Sequence, residues 1–355
     1  SEGIAGSAAE LDRAIPGLGE VATKAKVLDL PIVQKAIVAR VNPVAREVVK
    51  EHEAEGTLPG LANLGNTCFA NSVLQCLLNT PGRFPEECVA FSQSGESAQS
   101  KEAAVGRAFQ SLAREYGSKV DVALERLRNM KDAIAAIYPQ FAGDQQQDAD
   151  EFLGHVLAGL KEGFGALFGG LSDDRPGPSA DVIRAIFGIT SFTRRKCHCC
   201  SGVFEVARET DNVMRVPLLS RASTCEPALR EQEEATPITL QDLLDASRQP
   251  EDIEGYDCDA CRAQSDKRGE ARTSSTITRV IAKTRDVVVV VLYRFADAYD
   301  STGTFKPKKV NRQVACPTEL KLESKSYRLF GVVSHLGESL SEGHYVATVR
   351  SRRDD

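Results

Sequence analysis

One switch in hydrophobic period, near residue 170, constrains this chain more than any other feature. From residue 60 to about 165 the apolar residues recur at helical spacing. Phe69, Val73, Leu74, Leu77 and Leu78 fall on one face of a helix that Pro81 and Gly82 stop, and residues 150–160 read as another helix. The run SDDRPGPS at 172–179 is a linker by composition. Beyond it the pattern is that of strands: short runs between 203 and 216, a continuous β-branched run at 287–292 expected of a buried strand, and further strands at 327–333 and 344–349. Residues 220–236 are polar and read as a loop. Helices first and strands after predict an α+β architecture. Ahead of it, Pro31 and Pro43 cut residues 1–57 into short helical pieces (19–30, 32–41 and 44–55), an extension with no evident chemistry, and Pro59-Gly60 marks the boundary.

Composition narrows the function classes. Hydrophobic residues at 42% and charged residues at 26% predict a packed core. The formal net charge of −6 lacks the basic footprint of a nucleic-acid binder. No apolar run reaches the roughly 18 residues of a membrane span, and the start, Ser1-Glu2-Gly3, lacks the basic n-region of a secretory signal. The expected setting is a reducing compartment, cytoplasm or nucleus. There, Cys197-x2-Cys200 and Cys258-x2-Cys261, 57 residues apart, suggest metal rather than disulfides. Four thiolates suit tetrahedral zinc in a structural role. Cys199 or His198 could substitute in the first pair, although the x2 spacing favours Cys200. Of the ten cysteines, Cys76, Cys88, Cys225 and Cys316 are scattered, as small buried hydrophobes are.

Cys68 stands apart. The segment GLANLGNTCFANSVLQCLL at 60–78 carries turn chemistry at Gly65-Asn66-Thr67, with Thr67 a plausible N-cap. Cys68 then falls in the first turn of an apolar-faced helix. There the dipole and free N–H groups favour thiolate, and the same N–H groups can help hold an oxyanion. On these grounds a reactive thiol and a buried structural cysteine are both open. The segment YRLFGVVSHLGESLSEGHYVATV at 327–349 is strand, Gly/Ser-rich loop, strand, with His344 at the start of the second strand, a place from which a base can serve a thiol. Between them, GDQQQDADEFL at 143–153 sets Asp148 and Glu151 three apart, on one helix face.

These three segments closely resemble the cysteine, glutamine–aspartate and histidine boxes of the ubiquitin-specific protease family. The resemblance runs from about residue 59 to the end. It implies a papain-like α+β fold of thumb, palm and fingers, with a catalytic domain over 58–355, the thumb at about 61–170, and fingers and palm at about 180–355. The implied activity is thiol-dependent hydrolysis of the isopeptide bond after the terminal glycine of ubiquitin, with ubiquitin and ubiquitinated proteins as partners. Cys68 matches the nucleophile, His344 the base and Asn63 the oxyanion-hole asparagine. Gln147, Asp148 and Glu151 match residues that meet the ubiquitin tail, Gly343 and Tyr345 those lining its narrow passage, and 337–341 a loop beside the channel. His335 fits the family pattern as a loop residue. The two CxxC pairs match the tip of the fingers. The run VVVVVLYRF at 287–295 resembles the central strand, with Tyr293 where lysine is more common. The family continues to a tryptophan and a third catalytic Asp or Asn. With no tryptophan here, that residue is expected beyond Asp355, since Asp354 and Asp355 stand too close to His344. The same feature motivates an alternative, a catalytically impaired ubiquitin-binding scaffold.

Overall fold

A computed structural model of the protein describes residues 60–81, 84, 100–116, 124–168, 182–220, 227–264, 272–296, 308–337 and 342–350. The helices expected before residue 58, the 172–179 linker, residues 338–341, Cys88, Cys225, Asp354 and Asp355 lie outside the described residues. In chain order the helices are α1 (Cys68–Leu78), α2 (Lys101–Tyr116), α3 (Leu124–Ala135), α4 (Ala149–Phe168), α5 (Val182–Phe187), α6 (Pro227–Ala235), α7 (Leu240–Ala246) and α8 (Asp259–Gln264). The first strands are β1 (Ile189–Cys197), β2 (Val203–Asp211), β3 (Met214–Pro217), β4 (Ile238–Thr239), β5 (Glu251–Asp257), β6 (Arg272–Thr284) and β7 (Val290–Tyr293). The later ones are β8 (Phe295–Ala296), β9 (Lys308–Lys309), β10 (Val314–Ala315), β11 (Glu319–Leu322), β12 (Lys325–Arg328), β13 (Gly331–Leu336) and β14 (His344–Val349). They sort into two compact units, one of residues up to Gly159 together with those from Leu329 on, the other Leu160–Arg328.

In the first unit, α1 buries the expected face, Phe69, Val73, Leu74, Leu77 and Leu78, and packs on the β13–β14 hairpin, while α2 packs on α3. The rings of Phe69, Phe141 and Phe152 meet at centroid separations of 5.4 to 6.0 Å, an aromatic cluster that joins the start of α1 to α4. The far end of α1 is held by polar bonds. Asn79 donates through Nδ2 to the Tyr116 hydroxyl at 2.7 Å, and that hydroxyl donates to Gln75 Oε1 at 2.6 Å. Burial pushes the Tyr116 phenol up to about 12, so it remains a donor at ordinary pH.

In the second unit, β2-β1-β6-β5 form an antiparallel sheet. A separate core gathers Ile189, Val216, Leu218, Leu244, Val310 and Leu322. Two expectations change here. The polar stretch at 220–236 contains α6, and the buried strand expected over 287–292 is only β7, in which Val290, Val291 and Leu292 are half-buried and Tyr293 is exposed. β7 pairs in parallel with β3, which is four residues long, so the ladder runs no further than Met214↔Val290 to Pro217↔Tyr293. No described helix is long and apolar enough to cross a membrane.

Candidate active site and metal centre

The loop before α1 is shaped by its asparagines. Gly65 (φ 98°) and Asn66 (φ 48°) take the left-handed region, which these residue types tolerate best. Asn63 Oδ1 accepts from the Gly65 N–H (3.1 Å), the Thr67 N–H (3.1 Å) and the Thr67 hydroxyl (3.0 Å). With its carbonyl held by three donors, the Asn63 amide has a fixed orientation, and its NH2 group is left to donate elsewhere. Asn71 Nδ2 reaches back to the carbonyls of Leu61 and Ala62. Thr67 does occupy the N-cap position but does not cap. Its hydroxyl takes the Leu64 N–H at 3.0 Å and turns toward Asn63, so among the described residues no side chain caps the first turn of α1. The N–H groups there keep their capacity for an anion.

Cys68 is the first residue of α1 and is buried. His344 is the first residue of β14, on which α1 packs. Burial lowers the His344 pKa from its ordinary 6.5, so the ring is a neutral base at pH near 7. Among the described residues none hydrogen-bonds the His344 ring.

The acidic segment proves to be a junction. Asp148 stands just ahead of α4 as its N-cap, Oδ1 accepting from the N–H groups of Asp150 (2.7 Å) and Glu151 (3.1 Å). It thus stands at the mouth of the helix, bonded to the Glu151 N–H, rather than within it. Its other oxygen lies 3.5 Å from the Tyr345 hydroxyl. Burial first, then the Asp148 charge, pushes that phenol above its ordinary range. Gln147 donates to the Gln140 carbonyl at 3.0 Å, and Gln140 donates to Glu151 Oε1 at 3.2 Å. Three residues given no site role from the sequence complete the junction: Gln140, Asn66, which donates to the Asp144 carbonyl at 2.8 Å, and Gln146, which donates to the Gly343 carbonyl at 2.9 Å. The three successive glutamines of the box were visible, but nothing local reveals a partner 197 residues away.

In the other unit, Cys197, Cys200, Cys258 and Cys261 bring four sulfurs within 4.8 Å of one another, with Cys197–Cys261 at 3.8 Å and Cys200–Cys258 at 3.9 Å. A tetrahedral four-thiolate site with metal–sulfur bonds of about 2.3 Å has sulfurs about 3.8 Å apart, so the cluster fits a metal ion. The Cys200 N–H, directed at the Cys197 thiol, holds it down at about 6. Burial, then the neighbouring thiols, pushes Cys261 up. His198 stays out of the group, its ring nitrogens 2.8 Å from Ser274 Oγ and 2.7 Å from Thr276 Oγ1, and exposed Cys199 is also outside it.

Residues 59–355 match the family model described as ubiquitin carboxyl-terminal hydrolase. Probable ubiquitin carboxyl-terminal hydrolase 16 of Schizosaccharomyces pombe is 25% identical over 82% of this chain and 59% of its own length. Ubiquitin carboxyl-terminal hydrolase 25 of Arabidopsis thaliana is 23% identical over 85% of this chain and 44% of its own. The chain thus spans about half the length of the curated relatives it matches. Among solved structures, the SAGA Ubp8/Sgf11/Sus1/Sgf73 DUB module bound to ubiquitin aldehyde matches with a TM-score of 0.59 at 18% identity, covering 90% of this chain and 68% of that one. The α+β fold is shared with that structure.

Proposed function

Because the chain belongs to the ubiquitin carboxyl-terminal hydrolase family, we propose that it is a thiol-dependent deubiquitinase, hydrolysing the isopeptide bond after the terminal glycine of ubiquitin. The observation that carries this reading is the packing of α1, which begins at Cys68, on β14, which begins at His344. His344, neutral through burial, takes the Cys68 proton, and the thiolate attacks the glycine carbonyl. The oxyanion falls to the Asn63 NH2 group and the uncapped N–H groups of the first turn of α1. The imidazolium returns the proton to the leaving lysine amine, and the C–N bond breaks. Water, deprotonated by His344, then hydrolyses the thioester and frees Cys68.

Asp148, Gln147, Glu151, Gly343 and Tyr345 are assigned to the ubiquitin tail. Glu151 is exposed and can meet an arginine of that tail with a charge-assisted bond. Zinc is assigned to Cys197, Cys200, Cys258 and Cys261, where it would cross-link the turn after β1 to the start of α8. Four unpaired thiols suit a reducing location, cytoplasm or nucleus. The test is a ubiquitin derivative bearing a C-terminal electrophile, with the modified peptide identified by mass spectrometry. Labelling at Cys68, lost on prior alkylation of that thiol, supports the reading. Labelling at another cysteine, or none in protein that binds ubiquitin, contradicts it and favours a non-catalytic scaffold.

A further inference from the structure

We propose that the segment 144–148 is the bracket that aligns the Cys68 loop with His344, and that Gln146 is its positioning residue. The inference rests on the catalytic reading above and extends it. Each of three contacts from this short segment goes to a different part of the site. The Asp144 carbonyl accepts from Asn66 Nδ2 at 2.8 Å, which ties down the loop that delivers Cys68. Gln146 Nε2 donates to the Gly343 carbonyl at 2.9 Å. Asp148 faces the Tyr345 hydroxyl at 3.5 Å. The residues on both sides of His344 are therefore held by one stretch of chain, itself anchored by the Asp148 cap on α4.

The Gln146 bond matters most because of where its acceptor sits. The Gly343 carbonyl and the His344 N–H belong to one rigid peptide plane. Fixing that carbonyl fixes one side of the His344 φ angle, and with it the direction in which the ring leaves the backbone. His344 pairs with Leu336 at the last rung of the β13–β14 ladder, so the ladder reaches this plane only at its His344 edge, and Gln146 holds the carbonyl edge. Gly343 has φ 143°, and a Cβ there would come within 2.3 Å of the Leu336 carbonyl oxygen and 2.6 Å of His335 Nε2. The space at Gly343 is thus narrow and admits glycine. No described residue hydrogen-bonds the His344 ring itself. Backbone placement thus contributes to the Cys68–His344 geometry, and in general a small misplacement of a catalytic group can cost about 100-fold in rate.

The test compares the parent with Gln146→Met, which keeps the length but cannot donate, and Gln146→Glu, which keeps the size and sets a carboxylate against the carbonyl. Hydrolysis of a ubiquitin C-terminal fluorogenic amide should fall at least about tenfold in both, in kcat with KM little changed and the melting temperature close to the parent's. The second readout needs no ubiquitin: the time course of iodoacetamide alkylation at Cys68 at fixed neutral pH, resolved by peptide mass spectrometry. In both variants the curve should be at least about fivefold slower than in the parent, because the thiolate is the reactive form and a displaced His344 no longer assists it. Turnover within about twofold of the parent, a loss confined to KM with the alkylation curve unmoved, or a loss that only tracks a falling melting temperature would each overturn the proposal. If Gln146→Met does not fold, Gln146→Glu decides by the same readings. If the parent cleaves no ubiquitin substrate, the deubiquitinase reading falls, and the alkylation curves alone decide whether Gln146 aligns His344 with Cys68.

Discussion

At the residue scale, Asn63 does two jobs with two ends of one amide. Its Oδ1 accepts three hydrogen bonds that shape the loop, and its NH2 is assigned to the oxyanion. The two are separable. Asn63→Asp keeps an acceptor for the loop and removes the donor. It should retain a melting temperature near the parent's while kcat falls by about 100- to 1000-fold, the usual cost of an oxyanion donor. Asn63→Ala should lose both rate and stability. Equal rates for parent and Asn63→Asp would remove the asparagine from the chemistry. His344 supplies a prediction in pH. Its pKa is lowered by burial, so the unfolded chain takes up this proton more readily than the folded one. The sign follows: the contribution of the neutral ring is intact above its ordinary value of 6.5 and is lost as pH falls below it. Between about pH 7 and about pH 5, His344→Gln should lose less stability than the parent in denaturant melts. Identical losses would show that another group governs the acid side.

At the residue scale the sequence singled out Cys68, His344 and Asn63 by type within their segments. What was not legible is which end of each polar side chain is occupied. Thr67 is a good N-cap residue by type, yet Asn63 draws its hydroxyl away from the helix. The partners of Asn66 and Gln146 lie 78 and 197 residues distant.

At the scale of elements, α4 and the cysteine turns carry the next predictions. Because Asp148 caps α4 as well as facing Tyr345, Asp148→Ala should cost about 1 kcal/mol of stability from the lost cap in addition to weakening ubiquitin binding. Asp148→Ser retains a capping oxygen and should recover the stability without the affinity. If both variants bind ubiquitin as the parent does, Asp148 is only a cap. The four-sulfur cluster predicts one zinc per chain in protein purified without chelator, measured by elemental analysis. Changing Cys197, Cys200, Cys258 and Cys261 to serine should abolish it and lower the melting temperature. Zinc retained in that variant would place the metal elsewhere. Element type was legible where an apolar stripe or a β-branched run marked it, as in α1 and β14. It failed at α6, whose sequence, PALREQEEA, carries strong helix formers behind a proline but no apolar stripe. Propensity rather than periodicity was the signal there. It failed again at β7, where the length of the partner β3 set the ladder.

At the scale of the whole molecule, the match over 59–355 and the fold shared with a solved DUB module at 18% identity frame a chain whose α+β class was visible in the order of its periodicities. Its division into units was less so: the chain leaves the first unit after α4 begins and returns to it at Leu329 to deliver β13 and β14. A hydrophobic pattern read along the sequence has no term for such a return, whereas α1 packing on β14 is what brings the elements that begin at Cys68 and His344 together. The claim on which the account turns is that Cys68 is the nucleophile of a ubiquitin hydrolase. The most direct measurement is turnover of a ubiquitin C-terminal amide by the parent and by Cys68→Ala, with ubiquitin affinity measured for both. The account predicts turnover in the parent, none above background in Cys68→Ala, and affinities within about threefold, since the loss lies in the barrier and not in ground-state binding. Turnover by Cys68→Ala near the parent rate would contradict it.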